Sequence, residues 1–324
     1  MLDSPRQIKS NMKFLNKKNN FLFLTMTVFV FVASSVLAIS GQIPTVDRSL
    51  FTVHQTKTFP PLPVLINGSS FPTLSAQGVI AMDLTSGITL YEKNPDVKLL
   101  PASTTKIVTA LVSLDTYKLD QVLTVGKGVK VDGQKMGLRV GEKMKFEDLL
   151  YGLLVYSAND AAQTLAQNYP GGYEAFIEAM NQKASELSMT NSLFDNPVGL
   201  DTNGQRSTAK DLIRVSEVAM RNPVFAKVVG TKQITISDAS GNKPYNLKNI
   251  NQLLGVVPGV MGVKTGWTEN ARENLVTYIE RDGHKIMIAL LGSQDRFGET
   301  KELINWIFES YKWQSVTVPT NSKL

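Results

Sequence analysis

Three short stretches of this sequence carry side chains whose types and spacing suit covalent chemistry. The first is PASTTKIVTAL, residues 101–111, in which Ser103 and Lys106 stand three apart at the start of an apolar, helix-patterned run. On a helix such positions share a face, and Pro101 and Ser103 are residues that begin helices well. A lysine on the apolar first turn of a buried helix is costly, because desolvation and the positive end of the helix dipole both favour its neutral amine. A neutral amine beside a serine hydroxyl can take the hydroxyl proton, which makes the pair a nucleophile with its base. Alone, the same spacing also reads as an N-cap serine followed by a snorkelling lysine.

The second stretch, YSANDAA, places Ser157 and Asn159 in a break between two helix-patterned runs. By itself it reads as a loop serine followed by an N-cap asparagine. The third, GVKTGWT, places Lys264, Thr265 and Gly266 on a strand-patterned run. By itself that is an exposed sheet edge with a twist-permitting glycine.

These stretches need elements to bring them together. GVIAMDL and GITLYEK, around Thr85-Ser86, read as a hairpin that opens the domain. From residue 101 to about 225 the pattern is mainly helical. Ile107, Ala110, Leu111 and Leu114 mark one helix, and FEDLLYGLLVY, ANDAAQTLAQNY and GYEAFIEAMNQKASEL continue the series. Strand character returns in KQITIS, GVMGVKTGW, NLVTYIER and HKIMIALLG, the last two joined by an Asp282-Gly283 turn. A final helix is expected from Gly298 to Trp313. Strands at both ends with helices between predict an α+β fold, an antiparallel sheet whose first strands pair with its last and which helices flank.

Composition narrows the chemistry further. The 324 residues are 43% hydrophobic, enough for a sizeable core. Net charge is +6, but Arg6, Lys9, Lys13, Lys17 and Lys18 against Asp3 make residues 1–20 supply +4 of it. The remainder carries no basic footprint of the kind nucleic-acid binding needs. Residues 21–39, FLFLTMTVFVFVASSVLAI, are uncharged and long enough to cross a bilayer core behind that basic run. They predict a signal anchor, or a signal peptide cut near Ala38, with the rest of the chain at the outer face of the cell membrane or secreted to the periplasm or cell wall. Residues 40–75 hold five prolines and read as an extended linker, residues 76–313 as the domain, and residues 314–324 as a tail. There is no cysteine, so no disulfide, thiol nucleophile or thiolate metal site. The two histidines, His54 and His284, fall in the linker and at a hairpin tip, where a solvated surface position is expected. No metal or cofactor is called for.

The three stretches together occur in the order Ser-x-x-Lys, Ser-x-Asn, Lys-Thr-Gly, on a helix start, an interhelical loop and a late strand. That set belongs to penicillin-binding proteins and related β-lactamases. Over residues 76–313 the chain resembles the low-molecular-mass penicillin-binding proteins, serine D-alanyl-D-alanine peptidases of the S11 type. The likeness extends through LYEKNPDVKLLPASTTK, NYPGGYEAFIEAMNQKASEL, NPVGLDTNGQRSTAKDL and GVKTGWTENARENLV. It implies a β-lactamase/transpeptidase-like fold with a helical subdomain. It also implies a substrate, the peptidoglycan stem peptide ending in D-Ala-D-Ala, and covalent binding of β-lactams. By the same resemblance Ser103 would be the nucleophile, Lys106 its base, and Ser157 the relay to the leaving D-alanine, supported by Lys264. Asn159 would hold the substrate amide, and Lys264 and Thr265 the terminal carboxylate. Gly266 would let the substrate lie against the sheet, and the N–H groups of Ser103 and Trp267 would form an oxyanion hole.

Four positions depart from the family pattern. Ile250 stands where some members have an arginine, Met261 where aspartate is common, Arg272 where glycine is usual, and Arg206 where histidine is frequent. None lies in the three motifs, but together they leave substrate preference open. No E-x-x-L-N loop of the β-lactamase kind follows Ser157. Carboxypeptidase action is the expectation. A D,D-endopeptidase that cuts cross-links is the alternative, since NYPGGYEAFIEAMNQKA resembles that branch. A non-catalytic penicillin-binding or wall-sensing module is disfavoured by the intact motifs.

Overall fold

The structure, a computed structural model, describes residues 56–66, 70–129 and 131–319. The basic run, the apolar segment 21–39 and His54 lie outside them. The chain divides into two compact units, of which Lys57–Val318 is the one that the described residues build. Among the described residues no helix is long and apolar enough to cross a membrane.

At its centre is a five-stranded sheet in the order β3-β2-β10-β9-β8, formed by β2 (Gly78–Asp83), β3 (Thr89–Lys93), β8 (Val260–Thr268), β9 (Arg272–Arg281) and β10 (His284–Ser293). Every pairing is antiparallel, and β10 sits between β2 and β9, so the first strands of the domain do pair with the last. The sequence of β10 shows why it is central. Met287, Ala289 and Leu291 enter one core, while Ile286, Ile288 and Leu290 enter the core on the opposite face. A strand apolar on both sides has no solvated face to present. The β9–β10 turn is made by Asp282 and Gly283, both at positive φ (53° and 78°), the geometry of a two-residue hairpin.

One face of the sheet carries the larger, helical layer: α1 (Lys106–Thr116), α2 (Phe146–Leu154), α3 (Asn159–Gln167), α4 (Gly172–Glu186), α5 (Ala209–Arg221) and α6 (Pro223–Val229). The other is covered by α7 (Arg296–Ser310). Local signals set several of these helix starts. The Thr208 hydroxyl accepts from the Asp211 N–H, and the Asp295 carboxylate accepts from the Gly298 N–H. Small two-stranded ribbons, β4 (Val122–Thr124) with β5 (Lys143–Lys145) and β6 (Gln233–Ser237) with β7 (Pro244–Lys248), sit beside the helical layer.

Two expectations are corrected. The last helix stops at Ser310 instead of Trp313, and Tyr311–Pro319 is a strand, β11, paired with β1 (Thr56–Leu65) from the stretch read as linker. The aromatic residues there find tertiary partners that outweigh helical periodicity. The Tyr311 hydroxyl donates to Leu90 O at 2.7 Å and Trp313 Nε1 donates to Asp83 Oδ2 at 2.8 Å. His284, expected in solvent, is half-buried and stacks on Trp313 with ring centroids 3.9 Å apart.

Candidate active site

The nucleophile candidate sits on a short 3₁₀ turn, Ala102–Thr105, that feeds directly into α1, so Ser103 precedes the helix proper instead of capping it. Ala102 has φ of 47°, a left-handed backbone that turns the chain sharply just before Ser103. The turn is wedged between two glycines. A Cβ at Gly199 would come within 1.8 Å of Ala102 O, and one at Gly266 within 3.1 Å of Ser103 N. Gly266, expected to make room for substrate, lines the cleft, and its missing side chain also lets β8 close on the nucleophile turn. Behind the turn, buried Asn274 donates to Leu100 O at 2.9 Å and accepts from Gly292 N–H at 2.8 Å, tying the chain before Ser103 to the sheet.

Lys106 follows on the first turn of α1 and is 0% exposed. Its Nζ lies 2.9 Å from Ser103 Oγ, 2.7 Å from Asn159 Oδ1 and 2.8 Å from Val198 O. Burial, and then the charge of Lys264, push its pKa well below the ordinary lysine value, with the Asp160 carboxylate opposing them. Three oxygens surround Nζ. Val198 O can only accept, and the Asn159 amide is oriented by its Nδ2 donating to Asp132 O at 2.5 Å, so its oxygen faces Lys106. Two N–H groups of the amine satisfy those two oxygens. Nζ also reaches the Ser103 hydroxyl at 2.9 Å, and the burial that favours the neutral amine makes it the acceptor for that hydroxyl's proton.

Ser157 occupies the break between α2 and α3 at φ of 60° and is 4% exposed. Asn159, the first residue of α3, donates its backbone N–H to Gln134 O at 2.7 Å and so fixes the loop at the cleft wall. Next to it, Asp160 accepts the N–H groups of Met136, Gly137 and Leu138 at 2.8–3.0 Å.

From the free edge of the sheet, Lys264 donates to Ser157 Oγ and to Thr265 O, each at 2.8 Å. Burial chiefly, and then the Arg296 guanidinium, pull its pKa down to about 7. Two serine–lysine pairs therefore face one cleft of about 570 Å³, which Ser103, Ser157, Asn159, Thr265, Gly266 and Trp267 line. All eight residues singled out in the sequence are thus gathered here.

The structure adds residues that the motifs did not point to. Val198 holds Lys106 through its backbone carbonyl, which no side-chain pattern reveals. Arg296 lines the cleft from the start of α7 and donates to Gly266 O at 2.8 Å. Its guanidinium thus stands by the Lys-Thr-Gly strand, while Ile250 also lines the cleft without a charge. Met261, Arg206 and Arg272 do not line it. Arg272 has φ of 57°, which is why glycine suits that hairpin position. Among the described residues no three histidine or acidic side chains are grouped as a metal would need.

Residues 66–295 match the D-alanyl-D-alanine carboxypeptidase family, peptidase family S11. The chain belongs to this family. Among curated relatives it is 30% identical to the D-alanyl-D-alanine carboxypeptidase DacF of Bacillus subtilis over 246 residues, which is 73% of this chain and 63% of that protein. It is 33% identical to a D-alanyl-D-alanine endopeptidase of Pseudomonas aeruginosa, over 72% of this chain and 77% of the relative. The chain thus spans less than two thirds of DacF but more of the endopeptidase. The crystal structure of the Streptomyces K15 DD-transpeptidase superposes with a TM-score of 0.71 at 33% identity, over 74% of this chain and 99% of that one. The mixed sheet-and-helix architecture is therefore that of the transpeptidase-like fold.

Proposed function

We propose that this protein is a serine-type D-Ala-D-Ala carboxypeptidase that trims the terminal D-alanine from peptidoglycan stem peptides. The observation that carries the reading is Lys106, fully buried and held with its Nζ 2.9 Å from Ser103 Oγ. Membership in a family of this description supports the substrate.

In this reading Ser103 Oγ attacks the carbonyl carbon of the penultimate D-alanine and gives its proton to Lys106 Nζ. The oxyanion is held by the N–H groups of Ser103 and Trp267. Collapse breaks the C–N bond, and the departing amine of the last D-alanine takes a proton through Ser157, which Lys264 supports electrostatically. Asn159 orients the substrate amide, while Thr265, Lys264 and Arg296 receive the terminal carboxylate. Water then cleaves the acyl ester and restores the Ser103 hydroxyl. A β-lactam would acylate Ser103 in the same way and remain attached.

The test is D-alanine release from a muropeptide pentapeptide, followed by mass spectrometry, with Ser103→Ala as the inactive control. Ser103-dependent release is expected, and its absence would sink the carboxypeptidase reading. A cross-linked dimer run in parallel addresses the second reading, endopeptidase action, which the Pseudomonas aeruginosa relative favours. Monomers formed without free D-alanine would move the protein to that branch.

The basic residues 1–20 and the apolar 21–39 support an outward-facing enzyme attached to the cell membrane, or released if the leader is cut. Recovery of the chain in the cytosolic fraction would overturn that placement.

A further inference from the structure

The cleft has two chemically different ends. At one, Lys264 stands beside Thr265, with the Arg296 guanidinium on the carbonyl of the following Gly266. At the other, where β8 runs into its turn, the lining consists of Trp267, Thr268 and Glu269. Trp267 lines the cleft with 62% of its surface exposed, so its ring is open to a ligand lying there. Glu269 is the one acidic residue lining the cleft among the described residues. Its carboxylate has no hydrogen bond or ion pair there, whereas nearby Asp201 is already engaged by the Thr268 hydroxyl at 2.8 Å.

Strand geometry says what part of a substrate meets this end. β8 is a free sheet edge, and a peptide added to it advances by about 3.3 Å per residue. With its carboxylate at Lys264 and Thr265 and its reacting carbonyl at Ser103, such a peptide continues past Trp267. The residue preceding the D-alanine pair then lies alongside Trp267 and Glu269.

We infer that Trp267 and Glu269 form a subsite for a cationic, amine-bearing side chain on that residue, so that the enzyme prefers stems whose amine is free over stems whose amine is acylated. The ring face attracts a cation and the carboxylate pairs with it. Acylation removes the charge and adds bulk, so an amine already consumed in an amide cross-link loses both contacts. This inference rests on the D,D-peptidase reading above and deepens it.

The experiment compares two synthetic pentapeptides ending in D-Ala-D-Ala, with lysine before the pair, one with its ε-amine free and one Nε-acetylated. The full chain is assayed for D-alanine release. The free amine should give a kcat/KM about tenfold higher, the combined size of an exposed cation–π contact and an exposed ion pair. In Glu269→Gln, a substitution at an exposed turn, the ratio should fall to about threefold or less. A change in that ratio is one that mere loss of structure would not produce. Equal turnover of both peptides by the unaltered enzyme, or an unchanged ratio in Glu269→Gln, overturns the subsite alone. No release from either peptide overturns it together with the carboxypeptidase reading.

Discussion

Lys106 and Lys264 are both shut away from solvent and both bonded to a serine hydroxyl, yet the two regions hold them differently. Lys106 is gripped from the helical layer, by an asparagine that opens α3 and a carbonyl from the loop before α5. Lys264 hangs from the sheet edge, bonded to Ser157 and to the carbonyl of its own neighbour, with a second cation close by. The first environment fixes Nζ beside Ser103 by hydrogen-bond geometry and favours its neutral form by burial. The second leaves a group that titrates near neutrality, so its contribution varies with pH. A single motif set thus yields one lysine fixed in role and one tuned by conditions.

The sharpest way to break this contrast is Lys106→Ala. Acylation by a β-lactam should fall by on the order of a thousandfold, the usual value of a positioned general base, while circular dichroism shows the fold intact. Acylation at the unaltered rate would remove Lys106 from the mechanism. For Lys264 the expectation is a pH profile. Its ammonium form serves the carboxylate and predominates below about 7, so kcat/KM should decline as pH rises through that region. In Lys264→Arg, whose guanidinium stays charged, the decline should disappear even if the rate drops. A profile identical to that of the unaltered enzyme would assign the limb to another group. The smallest effect belongs to a residue outside both regions. Arg272→Gly relieves a left-handed backbone and should raise stability by about 0.5–1 kcal/mol in thermal unfolding, with no change in acylation.

Much of this was legible without coordinates. The opening hairpin, the run of helices after it, the closing strands and the three motifs follow from periodicity and residue type. So does a lysine too costly to bury charged. The misreadings came where tertiary partners overrode local pattern. Tyr311 and Trp313 continue a helical spacing but leave the helix to reach Leu90 and Asp83.

What the sequence determined by itself is the chemistry available: a serine three residues before a lysine, a second serine, and a Lys-Thr-Gly strand, with no cysteine to compete. Only the tertiary structure decided how that chemistry is directed. Lys106 Nζ is held against Ser103 because Asn159 Oδ1 and Val198 O, 53 and 92 residues away in the chain, anchor it. The charge of Arg296 comes to the cleft because α7 begins beside the edge strand, where its guanidinium reaches Gly266 O. Hydrogen bonds and charges act over a few ångströms, and residues far apart in sequence come that close only once the core has packed.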